Sequence, residues 1–195
     1  MNYSNDYSDG IRGTDDVRVG PIRLTASGLA SAKAVKRAAF LSFGVACVAG
    51  LLLAAISSWW ILIVGAISVL AAWGYTGGHT PYGYRGFGEL SVFIFFGVVA
   101  TVGTYYVQTL EFSTAAFAAS VSMGSLSCAL LVINNIRDRA QDAQVGKKTL
   151  AVRLGDEKAR KFFIALLVLP YIFAPLTGNP LAFLTLASAP HALAI

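Results

Sequence analysis

The sequence predicts an all-α fold, a polytopic transmembrane helix bundle, and three observations predict it. Of 195 residues, 56% are hydrophobic and only 13% are charged, about half the charged share of an ordinary soluble domain. Mean hydropathy is +0.65. The charges are also segregated: no Asp, Glu, Lys or Arg lies between Arg37 and Arg85, and none follows Lys161. A lipid bilayer is the partner that this composition demands. It excludes a disordered chain, a coiled coil and a basic nucleic-acid-binding domain, so no nucleic-acid partner is expected.

Crossing a bilayer core takes roughly 20 apolar residues in a helix. Measured by that length, the chain offers six spans: Ala38–Ser58, Trp59–Tyr75, Leu90–Gln108, Thr114–Ile133, Phe162–Leu176 and Pro180–Ile195. Ser57-Ser58 separates the first two. Thr177-Gly178-Asn179-Pro180 separates the last two and is a strong turn signal. Small residues recur within the spans (Gly44, Gly50, Gly65, Gly97, Gly103 and Gly124). They either permit close helix approach in lipid or reflect the usual frequency of glycine in membrane helices.

Six spans distribute the connecting segments over two sides. One side collects Met1–Arg37, Thr76–Glu89 and Asn134–Lys161, which hold all 15 basic residues and all the acidic residues but Glu111. By the positive-inside rule this side is cytoplasmic, and the expected location is the cell (plasma) membrane. The net charge of +5 therefore reads as topology and an anion site. Cys47 and Cys128 fall within spans and read as inert buried thiols.

The charged segments hold the chemistry. Asp6 and Asp9 are spaced i, i+3 and share one face if the segment is helical. Two carboxylates so close repel unless a cation lies between them. Carboxylate oxygens suit Mg²⁺, which binds one or two of them together with substrate phosphate. Asn134, Asp138 and Asp142 repeat the device at i, i+4, i+8, with Arg137 beside the first carboxylate and Lys147 after the last. Taken singly, each cluster is better explained as helix capping or a solvated face. Two clusters on the same side favour a diphosphate site, in which carboxylates hold Mg²⁺ and Arg and Lys neutralise the remaining charge. Between them lies Tyr75–Glu89, rich in Gly and aromatic residues. It is either a lid with an aromatic wall that steadies a carbocation, or an interfacial aromatic belt. His79 within it is a base or simply an exposed residue.

These residues resemble a known family. Asn5-Asp6-x-x-Asp9 followed by Asp15, with Arg23-Leu24-Thr25-Ala26-Ser27-Gly28 after it, resembles the first aspartate motif of the UbiA superfamily of intramembrane aromatic prenyltransferases. Asp138-x-x-x-Asp142-x-x-x-Gly146-Lys147-x-Thr149 resembles the second. Asn134-Asn135-Ile136-Arg137-Asp138 and the Tyr75-Thr76-Gly77-Gly78…Gly88-Glu89 loop are similar to the branch that prenylates 1,4-dihydroxy-2-naphthoate. That likeness runs from Asn2 to about Val168.

The resemblance implies a nine-helix bundle in which four spans separate the motifs, as the independent span count also gives. It implies transfer of a polyprenyl group from polyprenyl diphosphate to 1,4-dihydroxy-2-naphthoate, with decarboxylation, to give demethylmenaquinone. It implies that Asp6, Asp9, Asp138 and Asp142 are catalytic and hold Mg²⁺. Asn5, Arg23, Asn135, Arg137 and Lys147 would contact the diphosphate, and Asp15 would be an outer member of the first motif. Lys often stands at the position of His79 in this branch, which puts a diphosphate role for His79 in doubt. Alternatives are another acceptor (4-hydroxybenzoate, homogentisate, a chlorophyllide or haem), a cation-binding transporter component, or an inactive fragment. The transporter is disfavoured because the spans between the clusters are uncharged. On the nine-helix pattern, residues 1–195 are expected to be one transmembrane prenyltransferase domain truncated at both ends. The first motif would lie at 5–15 and the second at 134–149, with the first helix, most of the second and the ninth missing.

Overall fold

The computed structural model describes residues 2–14, 20–188 and 190. Asp15 and the last part of the sixth expected span lie outside the described residues. Among the described residues all regular structure is helical. The chain forms two compact units, Met1–Gly86 with Ala140–Lys148, and Phe87–Arg139 with Thr149–Ile195.

In the first unit, helix α1 is Asn2–Gly10, α2 is Ala32–Ile56 and α3 is Ile61–Gly74. The polar helix α1 turns Ser4, Asp6, Ser8 and Asp9 inward and packs on α2, which packs on α3. Ser31 starts α2: its hydroxyl accepts from the Ala34 amide at 3.3 Å, supplying a partner for a helix-start N–H. Tyr7 ties α1 to its neighbours, stacking on Trp73 at 6.4 Å between centroids and lying 5.2 Å from the Lys36 ammonium. After α3 the chain turns through a short 3-10 helix, Tyr82–Arg85.

The second unit contains α4 (Gly88–Thr109), most of α5 (Thr114–Gln144) and α6 (Leu150–Phe173). Its core joins Val92 of α4, Cys128, Ala129 and Val132 of α5, and Leu166 of α6. Phe93–Val99 within α4 winds as a π-helix. There α4 meets α5 at two glycines: a Cβ on Gly97 would lie 2.6 Å from the Gly124 Cα. Small residues let backbones approach in lipid, where packing replaces the hydrophobic drive. Thr149 caps α6, and Gly155 interrupts it at φ +76°.

Among the described residues four helices are long and apolar enough to cross a membrane: Ala32–Ile56, Gly88–Thr109, Thr114–Gln144 and Leu150–Thr177. Large apolar side chains cover their outward faces, among them Leu41, Leu52 and Leu130. In water this would be a binding or aggregation surface; on a membrane protein it is the lipid face. The other two expected spans differ. Trp59–Tyr75 yields only the 14-residue α3, about 21 Å long, because the Ser57–Trp60 turn delays its start. Pro180–Ser188 forms a 3-10 helix. The expected Asn134–Lys161 loop is mostly helix, since α5 continues to Gln144 and α6 begins at Leu150. Cys128 is buried as expected, but Cys47 is exposed, because it lies on the outward face of α2.

Candidate functional site

The first aspartate motif is built on α1. Asp6 and Asp9 do share an inward face, at 6% and 5% exposure. The Leu24 amide donates to one oxygen of Asp6 and the Thr25 amide to the other, both at 2.9 Å. Gly10 makes this approach possible: a Cβ there would lie 2.5 Å from the Thr25 Cβ. Burial opposes ionisation of Asp6, but these amides and the charge of Arg23 outweigh it and hold the carboxyl below its usual range. Arg23 therefore acts on the first motif itself. Asn5 uses its side-chain oxygen to accept from the Thr76 hydroxyl at 2.9 Å.

Asp9 accepts from the Tyr84 hydroxyl. Thr14 adds a contact at 3.3 Å to the same hydroxyl and donates to the Asp9 carbonyl at 3.1 Å. Burial, then the Asp9 charge, then the bond to Asp9 push the Tyr84 phenol well above its ordinary value, so it stays a donor. Arg12 fastens the same loop, donating to the carbonyls of Thr76 and Gly78.

The second motif enters this unit through residues 140–148. Gly146 adopts φ +78° just after α5 ends, a conformation that glycine reaches without strain. The reversal returns the Lys147 amide to the Asp142 carbonyl at 2.8 Å. It also sets the Lys147 ammonium 3.8 Å from the Asp142 carboxylate. That ammonium lies 4.7 Å from the centroid of the Tyr84 ring, and the Arg12 guanidinium carbon lies 5.6 Å from it. The Lys148 amide donates to the Tyr84 carbonyl at 2.8 Å. Parts of both motifs thus converge on Tyr84.

In the second unit, Asp138 is held by Arg137, which donates from two nitrogens at 2.7 and 2.8 Å. Asn135 donates to a Glu89 oxygen at 3.0 Å. Glu89 is 5% exposed, and its second carboxylate oxygen is buried without a hydrogen-bond partner. A buried carboxylate in a span is costly and marks a functional residue by default. His79 sits in the middle loop and is exposed.

Among the described residues no three His, Cys, Asp or Glu side chains converge as a metal cage. The donor chemistry still fits Mg²⁺. The acidic residues offer hard oxygens, and Mg²⁺ commonly binds through one or two carboxylates plus substrate phosphates and water.

Sequence reasoning missed the roles of Tyr84, Arg12, Thr76 and Glu89. Each works through a partner distant in the chain, which spacing does not reveal. The available signals were faint: a loop of consecutive aromatic and glycine residues, and a single carboxylate at the head of an apolar span.

Comparison with known proteins bears on the whole chain. It is 50% identical over 195 residues to the 1,4-dihydroxy-2-naphthoate octaprenyltransferase of Mycobacterium tuberculosis, covering 99% of this chain and 67% of that protein. It is 53% identical over 168 residues to the protein of that name from Mycobacterium leprae, covering 86% and 57%. With the Escherichia coli protein of that name it shares 38% over 174 residues, covering 86% and 56%. The chain thus spans between 56% and 67% of the length of these three relatives. No solved structure matches it. The family model for UbiA prenyltransferases matches residues 1–195, and so this helical membrane chain, with its two aspartate motifs, belongs to the UbiA prenyltransferase family.

Proposed function

We propose that this protein transfers a polyprenyl group from polyprenyl diphosphate to 1,4-dihydroxy-2-naphthoate. The observation that supports this best is that Asp9 and Lys147 both meet Tyr84, with Asp142 beside Lys147. Carboxylates and a cation gathered at one residue suit a diphosphate and its metal. The acceptor is inferred from the relatives' names and from the Asn134–Asp138 sequence.

In this reading the allylic C–O bond of the donor breaks and its electron pair leaves with the diphosphate. The allylic carbon then bonds to the ring carbon that carries the carboxylate. That carboxylate departs as CO₂, its bonding pair returns to the ring, and demethylmenaquinone forms at the quinol level. Lys147, Arg23 and Arg137 neutralise diphosphate oxygens, placing charge where charge develops. Asn5 and Asn135 orient the same group. Asp6, Asp9, Asp138 and Asp142 would hold Mg²⁺, which when bound would supply Lewis-acid neutralisation of the departing diphosphate. The apolar helices exclude water that would quench the cation. The chain acts as one prenyltransferase domain in the plasma membrane, with its charged segments cytoplasmic.

The test supplies membranes containing the protein with labelled polyprenyl diphosphate, dihydroxynaphthoate and Mg²⁺. A labelled, lipid-soluble naphthoquinone that disappears on chelation is expected. Product from 4-hydroxybenzoate or another acceptor, with none from dihydroxynaphthoate, would overturn the assignment of acceptor.

A further inference from the structure

We propose that Tyr84 is a positioning residue for the diphosphate site: it holds the Asp9 carboxylate and the Lys147 ammonium at one fixed spacing. This rests on the function proposed above and extends it to a residue outside both aspartate motifs.

Four contacts carry the inference, and they engage different parts of the residue. The hydroxyl donates to Asp9. The ring lies 4.7 Å below the Lys147 ammonium and 5.6 Å from the Arg12 guanidinium carbon. The backbone carbonyl accepts from the Lys148 amide at 2.8 Å. A tyrosine that merely marked the membrane interface would direct its hydroxyl to water or headgroups. This one spends it on a carboxylate that is itself buried.

The hydroxyl and the ring do separable work. A carboxylate has about four lone-pair sites. Asp9 can therefore accept from Tyr84 and still offer oxygen to a cation. The bond fixes the carboxylate's rotation and so lowers the entropy cost of capturing the ion. The ring face attracts the ammonium of Lys147 through its quadrupole and keeps it near Asp142, where a diphosphate oxygen would be met. Arg12, fastened to the loop carbonyls of Thr76 and Gly78, holds that loop so that the ring stays in place.

The two kinds of contact can be removed one at a time. Tyr84→Phe keeps the ring and deletes the hydroxyl; Tyr84→Leu deletes both. Prenyl transfer is measured in membranes carrying the full protein, titrating Mg²⁺ at saturating labelled polyprenyl diphosphate and then the donor at saturating Mg²⁺. For Tyr84→Phe, half-saturating Mg²⁺ should rise about tenfold, the loss expected for one hydrogen bond to a charged group. Its half-saturating donor concentration should change little. In Tyr84→Leu the donor requirement should rise as well. A purely structural role would instead lower thermal stability and kcat together and leave both half-saturations unchanged. An unchanged or lower Mg²⁺ requirement in Tyr84→Phe, with an active unaltered protein, would overturn this inference alone. A failure of Tyr84→Leu to fold leaves the Phe result decisive. An unaltered protein that transfers no prenyl group would overturn the proposed reaction and this inference with it.

Discussion

The two aspartate segments solve the same problem in different ways. On α1, Asp6 and Asp9 are buried, and their partners come from far along the chain. Leu24 and Thr25 are 18 and 19 residues from Asp6, and Tyr84 is 75 residues from Asp9. On α5, Asp138 is held by its immediate neighbour Arg137, with side-chain exposures of 24% and 37%. The first arrangement exists only when the fold is complete. The second needs nothing more than a helix. Organising carboxylates through the fold fixes their geometry but couples the site to stability. Holding one by a local pair leaves it adjustable and costs the fold little.

The comparison breaks most visibly at Asp6. Asp6→Leu keeps the shape and leaves the Leu24 and Thr25 amides without acceptors, at about 1–3 kcal/mol each. A loss of about 2–6 kcal/mol is expected, read as a lower midpoint for unfolding in detergent. Gly10→Ala attacks the same contact from the other side, driving a Cβ into Thr25, and should cost about 1–3 kcal/mol. The pH dependence has a definite sign. Because the folded carboxyl lies below its ordinary value, its contribution is complete above that value and is lost as pH falls through the lower folded one. Acid unfolding should therefore begin at higher pH in Asp6→Asn than in the unaltered protein.

The second unit has its own fold-dependent contact, and it sharpens the comparison. Asn135→Leu removes the donor to Glu89 and leaves both carboxylate oxygens unpartnered inside a span. About 1–3 kcal/mol should be lost. Glu89→Gln keeps an accepting oxygen for Asn135 and should cost less than Asn135→Leu. Equal losses would mean that the carboxylate itself, and not the hydrogen bond, stabilises the unit. At the Gly97–Gly124 crossing, Gly97→Ala meets backbone at 2.6 Å and should cost about 1–3 kcal/mol. Crosslinking between α4 and α5 would report the separation.

What could be read from the sequence follows the same division. Asp6 and Asp9 on one face, and Asp138 and Asp142 on another, are consequences of helical period, so spacing alone places them. The return of Lys147 to Asp142 is likewise local, written in Gly146. The helical class follows from apolar runs between charged segments. Tyr84 on Asp9, Arg12 on the loop carbonyls and Glu89 on Asn135 are contacts across 75, 64 or 66, and 46 residues. Periodicity carries no information at that range. The π-helical winding at Phe93–Val99 was equally hidden, since its residues read as an ordinary apolar helix. Apolar length overstates α3, because Trp59 and Trp60 are apolar enough to count toward a span while they form its entry turn.

The smallest effect on stability is expected at Asp138, and there the two arrangements separate most cleanly. Asp138→Asn removes a pair between adjacent, partly exposed side chains. Such pairs contribute about 0–1 kcal/mol, and salt screens them further. The unfolding midpoint should move little, and the shift should shrink in high salt. Prenyl transfer should nevertheless fall sharply, because the proposed role of Asp138 depends on its charge and not on what it holds together. At α1 the corresponding change, Asp6→Asn, should lower activity and stability together. Retained activity in Asp138→Asn would remove it from the proposed metal ligands. A large loss of stability there would show that α5 depends on Arg137–Asp138 as α1 depends on Leu24 and Thr25.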